Sequence, residues 1–460
     1  MSTAVQSPLS VVVLAAGQGT RMKSRLPKVL HTIAGRPLLE HVINDARALG
    51  AADIHVVYGH GGEQVREALS EYELDWIEQK EQLGTGHAVA QALPAIADDH
   101  LVLLLYGDVP LITEHTLRRL MAASSGESLA LLTARLDDPT GYGRIVRDAT
   151  GQVQCIVEQK DASAEQLLIH EINTGMLAAR AAQLKRWVAR LGNDNAQGEF
   201  YLTDIVGFAV GDGVPVNTAH PDQQYEIEGV NNRRQLAELE RAFQMRQARQ
   251  LMEDGLTLRD PARFDLRGEL IIGRDVEIDV NVVIEGRVEL ADDVCIGPNA
   301  VLKNVTVGAG TRVHANSVLE DSSIGANCDI GPFARIRPGT RLAEQVKVGN
   351  FVEIKKSEIA TGSKVNHLSY IGDTTMGENV NIGAGTITCN YDGANKHRTV
   401  IGDEAFIGSD TQLVAPVSVG AGATIGAGST VTRDAEPGKL TLSRAQQVSV
   451  DGWRRPEKKK

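Results

Sequence analysis

A glycine-rich segment near the start of the chain carries the residue types needed to hold a phosphate chain. In LAAGQGTRMKSRLPK the glycines directly follow a short apolar run, where a buried strand would turn into the next element. The segment lacks the GK[ST] of a P-loop, and Met22 stands where a dinucleotide-binding fingerprint has its third glycine. A bare Gly-x-Gly is equally typical of a simple strand-to-helix turn. Backbone amides of Gly17 and Gly19 can approach phosphate oxygens, and Arg21 and Lys28 add positive charge, which favours phosphate binding.

A histidine in the second half, His367 in NHLSYIGD, has the chemistry of a general base. An unperturbed imidazole has a pKa of about 6.5, which suits proton removal near neutral pH. Taken alone, a histidine in such a position is more often structural than catalytic.

The elements that must position the glycine-rich segment form an alternating α/β pattern. Short apolar runs of this kind fill parallel sheets covered on both faces, whose ligands bind beyond the carboxyl ends of the strands. The predicted strands are Val11–Leu14, Ile54–Tyr58, Leu101–Leu105 and Leu129–Thr133, and the predicted helices are Leu38–Leu49, Gly62–Leu69 and His87–Ile96.

The pattern changes after Asn231. NNRRQLAELERAFQMRQARQLMEDG has the spacing of one long amphipathic helix and ends at Gly255, a plausible C-cap. We therefore predict a first domain at 1–233, a linker helix at 234–256 and a second domain at 257–460.

The second domain repeats an aliphatic residue every sixth position, which is typical of a three-sided parallel β-helix with one inward side chain per strand. The excursion GAGTITCNYDGANKHRT interrupts the repeat, and such insertions often line the binding face. The repeat positions are Ile272, Ile278, Ile284, Leu290, Ile296, Leu302, Val307, Val313, Leu319, Ile324, Ile330, Ile336, Leu342, Val348, Ile354, Ile401, Ile407, Leu413, Val419, Ile425 and Val431.

Composition limits the classes of function. Apolar residues make up 42% of the chain and aromatic residues only 4%, as a narrow aliphatic coil requires. A formal net charge of -12 argues against general nucleic-acid binding. The cysteines, at positions 155, 295, 328 and 389, are far apart and fit reduced thiols better than a disulfide or zinc framework. With no transmembrane or targeting pattern, the sequence predicts a cytoplasmic protein.

Several stretches together resemble a known family. LAAGQGTRM with LPKVL is similar to the signature of the sugar nucleotidyltransferases, and the hexapeptide half extends the resemblance over essentially all 460 residues. The whole chain resembles the bacterial bifunctional N-acetylglucosamine-1-phosphate uridyltransferase/glucosamine-1-phosphate N-acetyltransferase family. That implies a Rossmann-like nucleotidyltransferase domain, a linker helix and a left-handed β-helix. The further matching stretches are EQLGTGHAV, LYGDVPL, GYGRI, IVEQKDA, EINTGM and EGVNNR.

For the first domain the resemblance implies transfer of UMP from UTP to N-acetylglucosamine 1-phosphate, with release of pyrophosphate. Arg21 and Lys28 are then the residues that neutralise charge during the transfer. The implied substrate contacts are Leu14, Ala15, Ala16, Gly17, Lys28, Gln79, Gly84, Thr85, Tyr106, Gly107, Asp108, Gly143, Glu158, Asn173 and Asn231.

The resemblance also implies a magnesium ion in the first domain, with Asp108 and Asn231 as its ligands. Mg²⁺ usually takes one or two protein oxygens and completes its shell with water and phosphate. On spacing alone, a turn-forming residue is the less favoured alternative for Asp108.

For the second domain the resemblance implies acetylation of glucosamine 1-phosphate by acetyl-CoA. His367 is then the general base, and the backbone N–H of Ala384 is the oxyanion donor. The implied sugar-phosphate contacts are Arg337, Lys355, Tyr370, Asn381 and Lys396. The implied acetyl-CoA contacts are Ala384, Asn390, Tyr391, Ser409, Ala427 and Arg444.

The family's enzymes supply UDP-N-acetylglucosamine for peptidoglycan and lipopolysaccharide, and the resemblance implies a homotrimer with the acetyl site between subunits. The basic tail GWRRPEKKK fits a solvated end, although Trp453 with Arg454 and Arg455 has the chemistry to clamp an adenine and a phosphate.

Two alternatives stay open on the sequence. One is a single-function sugar nucleotidyltransferase whose β-helix is only a scaffold. The other is an inactive binding subunit that keeps both folds. His367 and the Asn390-Tyr391 pair argue against the first, and Arg21, Lys28 and Asp108 argue against the second.

Overall fold

The structure is a computed structural model that describes residues 7–17, 19–59, 61–124, 127–456 and 458. It divides into two compact units, Met1–Phe243 and Gln244–Lys460. Among the described residues, no helix combines the length and apolar character needed to cross a bilayer.

The first unit is built on a mixed sheet with the strand order β11-β7-β10-β6-β1-β4-β5, to which β8 and β9 are added beside β10. A separate short hairpin is made by β2 and β3. The strands are β1 (Leu9–Ala15), β2 (Thr32–Ile33), β3 (Arg36–Pro37), β4 (Asp53–Tyr58), β5 (Asp75–Glu78), β6 (Leu101–Tyr106), β7 (Leu129–Arg135), β8 (Arg144–Arg147), β9 (Val153–Val157), β10 (Glu171–Arg180) and β11 (Val216–Ala219).

Helices cover both faces of this sheet, as its sequence predicts. In β1, Val11 and Val13 pack into one apolar cluster while Val12 and Leu14 pack into another on the opposite face. The α-helices are α1 (Leu38–Ala48), α2 (Gly62–Ala68), α3 (Thr85–Ala92), α4 (Glu114–Ala123), α5 (Ala181–Val188), α6 (Asp204–Gly211) and α7 (Arg233–Glu253). The 3₁₀-helices are Thr20–Met22, Lys28–Leu30, Leu93–Ala95, Gln166–Leu168, Gln224–Ile227 and, in the second unit, Pro261–Arg263.

The predicted strands are all present, and one further strand changes the topology. β10 lies between β6 and β7 and is antiparallel to both. The sequence pattern did not predict it, because Asn173, Thr174 and Gly175 interrupt its apolar run. The sheet is therefore mixed, which is common where an otherwise parallel sheet gains one reversed strand.

The second unit is a coil of short parallel strands that stack in three faces. The first face contains Thr257–Leu258, Glu277–Ile278, Cys295–Ile296, Arg312–Val313, Asp329–Ile330, Lys347–Asn350, Lys364–His367, Asn381–Ile382, Phe406–Ile407, Thr424–Ile425 and Leu440–Thr441. Four longer strands, Phe264–Ile272, Val282–Leu290, Val301–Val307 and Val318–Ile324, then lead into the other two faces.

These two faces diverge after Ile324. The second face continues through Arg335–Ile336, Glu353–Lys355, Tyr370–Gly372, Ile387–Cys389, Gln412–Val414 and Thr430–Val431. The third face continues through Arg341–Leu342, Glu358–Ile359, Thr374–Met376, Thr399–Ile401 and Val417–Val419.

The six-residue repeat predicts the core of this coil closely. Every predicted repeat position is buried except Ile272, which is partly buried against the same core. Glycines allow the coils to stack closely: a Cβ on Gly383 would lie 2.5 Å from the Ser409 nitrogen of the next coil. The β-helix prediction is confirmed.

The excursion is shorter than the sequence suggests. Ile387–Cys389 remains in the second face and pairs with Gln412–Val414. Only the residues between Cys389 and Thr399 leave the stack, and we call residues 390–398 the excursion loop. The strand was missed because Ile387 points outward, with 40% of its surface exposed, and so does not continue the apolar repeat.

Candidate active sites

The first candidate site is a cavity of about 350 Å³ at the carboxyl ends of β1 and β6. This is where open α/β sheets normally bind ligands. Ten of the predicted substrate contacts line it: Leu14, Ala15, Ala16, Gly17, Lys28, Gln79, Gly84, Thr85, Tyr106 and Asp108.

Two cations and two oxygen-bearing side chains meet beside this cavity. The Lys28 ammonium forms an ion pair with Asp108 Oδ2 and lies 3.4 Å from Asn231 Oδ1. Arg21 Nη2 donates to the same Asn231 oxygen at 2.9 Å. The fold thus brings together residues separated by as many as 210 positions.

The backbone of the glycine-rich segment requires glycine at position 19. Gly19 has a φ of 62°, and a Cβ there would lie 2.7 Å from the Lys28 Cβ. A side chain at this position would displace Lys28 from the cavity, because both the conformation and the space exclude it.

A second, smaller cavity of about 100 Å³ shares Thr85 and Tyr106 with the first. Glu158 and Asn173 line it, as predicted. Gly143 supports Asn173 from behind, since its carbonyl accepts the Asn173 N–H at 2.9 Å, and a Cβ on Gly143 would lie 2.9 Å from Ile156 Cγ2.

Gly107, another predicted contact, does not line the larger cavity, but its backbone supports the strands that form it. Its N–H donates to the Leu14 carbonyl at 2.9 Å, and a Cβ there would lie 3.0 Å from Leu39 Cδ1 and 3.3 Å from Ala15 Cβ. It therefore fixes the end of β6 against the end of β1.

Burial changes the pKa of two side chains in the smaller cavity. It raises the pKa of the Glu158 carboxyl. The Thr203 hydroxyl opposes that rise, because it donates a hydrogen bond to Glu158 Oε1 at 3.1 Å. Burial and the neighbouring Asp108 and Glu158 also raise the pKa of Tyr106, so its phenol stays protonated as a hydrogen-bond donor.

Sequence reasoning missed three polar side chains that line these cavities. Gln82 lines the larger cavity and donates to the Ala16 carbonyl at 2.6 Å. It lies within the EQLGTGHAV stretch, so its place there was an available signal. Glu199 lines the larger cavity and Thr203 the smaller one, and both come from a loop without a recognisable motif.

The second candidate site follows one corner of the β-helix. The Gly385 N–H donates to the His367 carbonyl at 3.4 Å, which places His367 one coil before the turn that contains Ala384. In the following coils, the Asp410 N–H donates to the Ala384 carbonyl at 2.7 Å, and the Gly428 N–H donates to the Ser409 carbonyl at 2.8 Å.

Arg444 completes this line, because its Nη1 donates to the Ala427 carbonyl at 2.6 Å. The predicted acetyl-CoA residues Ala384, Ser409, Ala427 and Arg444 are therefore stacked along one edge, with His367 at its start. Among the described residues, the Ala384 N–H has no protein acceptor, whereas its neighbours Gly383 and Gly385 both donate to adjacent coils.

The orientation of the His367 ring depends on a residue that sequence reasoning did not select. His367 Nδ1 lies 3.1 Å from Asn350 Oδ1, one coil below. An amide oxygen can only accept, so Nδ1 carries the proton and Nε2 keeps a free lone pair at the exposed edge.

Three predicted sugar-phosphate residues, Arg337, Lys355 and Lys396, form a cationic cluster where the excursion loop meets the second face. Contact with the Lys396 side chain lowers the pKa of Lys355, and Arg337 lowers it further. Arg337 also pairs with Glu353, with 2.6 Å between Nη1 and Oε1. Like charges held together in this way are typical of a site for a phosphate.

Tyr370 lies near this cluster, with its hydroxyl 3.4 Å from Asn390 Nδ2. Asn390 is buried at the base of the excursion loop, whereas Tyr391 is exposed. Asn381 does not lie beside these residues of the same chain, because it lies on the first face between Lys364 and Phe406.

Trp453 is exposed in a tail whose residues 457, 459 and 460 lie outside the described part of the chain.

Comparison with known proteins covers both units. Residues 11–190 match the family model of the MobA-like NTP transferase domain, residues 266–359 that of the GMPPB C-terminal domain, and residues 398–433 that of the bacterial transferase hexapeptide (six repeats).

Curated relatives match almost the whole chain. The bifunctional protein GlmU of Aromatoleum aromaticum is 63% identical over 98% of this chain and 99% of its own length. Its counterpart in Methylococcus capsulatus is 62% identical over 97% of both chains. A solved nucleotidyl transferase from Methanothermobacter thermautotroptrophicus covers 51% of this chain and 97% of its own at 22% identity, with a TM-score of 0.39.

Proposed function

The chain belongs to the GlmU family of bifunctional proteins, and on that premise we propose how its own residues divide the two reactions. It is a UDP-N-acetylglucosamine pyrophosphorylase and a glucosamine-1-phosphate N-acetyltransferase. The stacked edge that begins at His367 is the observation that supports a catalytic second unit over a scaffold.

In the first unit, the larger cavity holds UTP and the smaller one holds N-acetylglucosamine 1-phosphate. A phosphate oxygen of the sugar forms a bond to the α-phosphorus of UTP, while the bond from that phosphorus to the oxygen of the leaving pyrophosphate breaks. Arg21 and Lys28 neutralise the charge that develops on the phosphate oxygens. Gln79, Gly84 and Thr85 contact the uracil.

Glu158 and Asn173 orient the sugar in the smaller cavity. Ionised Glu158 accepts from sugar hydroxyls, and Asn173 supplies both a donor and an acceptor. Positioning of this kind accounts for most of the catalysis in phosphoryl transfer, because the protein needs to form no covalent bond.

Asp108 and Asn231 fit a magnesium ion. Their oxygens face the Lys28 ammonium, so the site already attracts a cation. Among the described residues, no cluster of three or more His, Cys, Asp or Glu side chains has a metal-binding arrangement. A site with two protein oxygens suits Mg²⁺, which keeps several waters. Asp108 and Asn231 would hold the ion, which would supply positive charge to offset that of the phosphate groups during the transfer.

In the second unit, the amine of glucosamine 1-phosphate attacks the thioester carbonyl of acetyl-CoA. Nε2 of His367 takes the proton that the nitrogen loses, and the Ala384 N–H donates to the oxyanion of the tetrahedral intermediate. The intermediate then breaks its carbon–sulfur bond, and the leaving thiolate takes up a proton.

The cationic cluster binds the phosphate of the amino sugar, with Tyr370 and Asn381 beside it. Acetyl-CoA extends along the stacked edge past Ser409, Ala427 and Arg444, with Asn390 and Tyr391 from the excursion loop. Because Asn381 lies on a different face from Lys355, we propose that copies of the chain complete the site in a homotrimer.

The protein acts on small molecules, and we propose a cytoplasmic location.

The test is thiol release from acetyl-CoA on addition of glucosamine 1-phosphate, with UTP left out. We expect release by the wild type and at least a hundredfold loss in His367→Ala, with His314→Ala, a partly exposed histidine elsewhere in the β-helix, as the control. If a folded wild type releases no thiol but still forms pyrophosphate from UTP and N-acetylglucosamine 1-phosphate, the β-helix is a scaffold.

A further inference from the structure

The excursion loop is held in shape by one carboxylate. Asp392 accepts hydrogen bonds from the N–H groups of Ala394 at 2.8 Å and Asn395 at 2.7 Å, and from His397 Nε2 at 2.6 Å. Three donors on one ionised acceptor form a strong local network, because charge-assisted hydrogen bonds are about twice as strong as neutral ones.

Backbone pairing closes the loop below this carboxylate. Tyr391 and Lys396 form an antiparallel bridge, and the His397 N–H donates to the Asn390 carbonyl at 2.8 Å. Asn390 Nδ2 in turn donates to Asp373 Oδ2 at 2.6 Å, which fixes the base of the loop to the coil. The loop is therefore a short hairpin with Asp392 inside its turn.

This hairpin sets the position of Lys396. The side chain of Lys396 contacts Lys355, with Arg337 nearby, although the three positive charges repel one another. Lys396 is exposed and long, so without the loop its ammonium would move away into water. Lys396 belongs to the backbone bridge with Tyr391, so the turn that Asp392 closes sets the point from which its side chain extends.

We infer that Asp392 is a positioning residue for acetyl transfer, which holds Lys396 in the phosphate site through the turn of the excursion loop. His397 supports it from the far end of the same turn. The inference rests on the proposed acetyltransferase site, and it assigns to Asp392 no contact with the substrate.

The test is a double-mutant cycle in the full-length protein, with the KM for glucosamine 1-phosphate as its readout. Asp392→Ala should raise this KM by about tenfold, because a charge-assisted hydrogen bond contributes roughly that factor. Lys396→Ala should raise it as well. If Asp392 acts through Lys396, the double variant should match Lys396→Ala alone, whereas independent roles would multiply the two effects.

Controls separate positioning from general damage. Asp392→Asn keeps one acceptor oxygen for the turn and should recover part of the loss. Asp292→Ala removes another exposed aspartate of the β-helix, one that accepts the Arg274 N–H at 2.8 Å, and should leave the KM unchanged. Pyrophosphate formation and the unfolding midpoint show whether each variant is folded.

The outcomes also separate this inference from the proposed function. Thiol release by the wild type with an unchanged KM in Asp392→Ala, or multiplied effects in the double variant, would overturn the positioning role alone. Absence of thiol release in the wild type would overturn the acetyltransferase assignment itself.

Discussion

Glu158 shows at the residue scale how the pocket that we propose for the sugar also sets a pH dependence. Its carboxyl is partly buried, and desolvation favours the protonated form, so its pKa lies above the ordinary value. The Thr203 hydroxyl restores part of the preference for the ionised form. The charge on Glu158 is therefore lost at a higher pH than that of an exposed glutamate.

We predict that the KM for N-acetylglucosamine 1-phosphate rises as the pH falls through this raised pKa, because a protonated Glu158 loses acceptor capacity for sugar hydroxyls. In Glu158→Gln that component of the pH profile should disappear, while the titration of the substrate phosphate remains. The measurement is the KM of UDP-N-acetylglucosamine formation between mildly acidic and neutral pH. Parallel profiles for the two proteins would contradict the prediction.

At the scale of elements, a β-bulge in β10 determines how this strand lines the smaller cavity. Its register with β7 shifts between Asn173 and Leu177, and Gly175 adopts a φ of 87° there. Bulges of this kind re-aim side chains next to active sites. Here the bulge lets Asn173 reach the smaller cavity and makes room for Tyr106.

We predict that Gly175→Ala raises the KM for N-acetylglucosamine 1-phosphate, because its Cβ would lie 2.6 Å from the Tyr106 hydroxyl. Gly151→Ala is the matched control, since its φ of 84° is similar but nothing lies within 4 Å of the added Cβ. Both variants carry the same backbone strain. Equal KM values in steady-state assays would show that the contact with Tyr106 does not matter.

The stacked strands of the β-helix derive their stability from the inward repeat residues. Ile354 is fully buried inside the coil. Ile271, in the strand Phe264–Ile272, is 39% exposed. We predict that Ile354→Ala lowers the free energy of unfolding by about 2–5 kcal/mol, and that Ile271→Ala costs clearly less. Denaturant unfolding of the full-length protein measures both, and equal losses would contradict the inward role of the repeat.

At the scale of the whole molecule, the two reactions should depend differently on assembly. The larger nucleotide cavity is lined entirely from the first unit of one chain, whereas the proposed acetyl site draws Asn381 and Lys355 from different faces of the coil. On the proposed assignments, the nucleotidyl site is complete in one copy, whereas the acetyl site needs a second copy to complete it.

We predict that dilution lowers the specific activity of acetyl transfer before that of uridyl transfer, because only the former needs associated subunits. Both rates should be measured across the concentration range in which sedimentation shows dissociation. If acetyl transfer keeps its full specific activity in isolated chains, each chain builds that site alone.

Much of this organisation could be predicted because it is periodic along the chain. The aliphatic residue at every sixth position identified the inward side chains of the coil, and apolar runs located the strands around the first site. Such patterns are local, since the side chain of each repeat residue points the same way in every coil. The hand of the coil and the number of copies did not follow from the repeat.

The sequence by itself determined the two fold types, the aliphatic core and, through family motifs, the residues around each cavity. Only the tertiary structure decided that Arg21 and Lys28 share the Asn231 oxygen, that a reversed strand separates β6 from β7, and that Asp392 accepts hydrogen bonds across the turn of the excursion loop. The physical reason is that such contacts join elements whose spacing along the chain carries no period. These contacts depend on the packing of the whole unit and not on the conformational preference of any short segment.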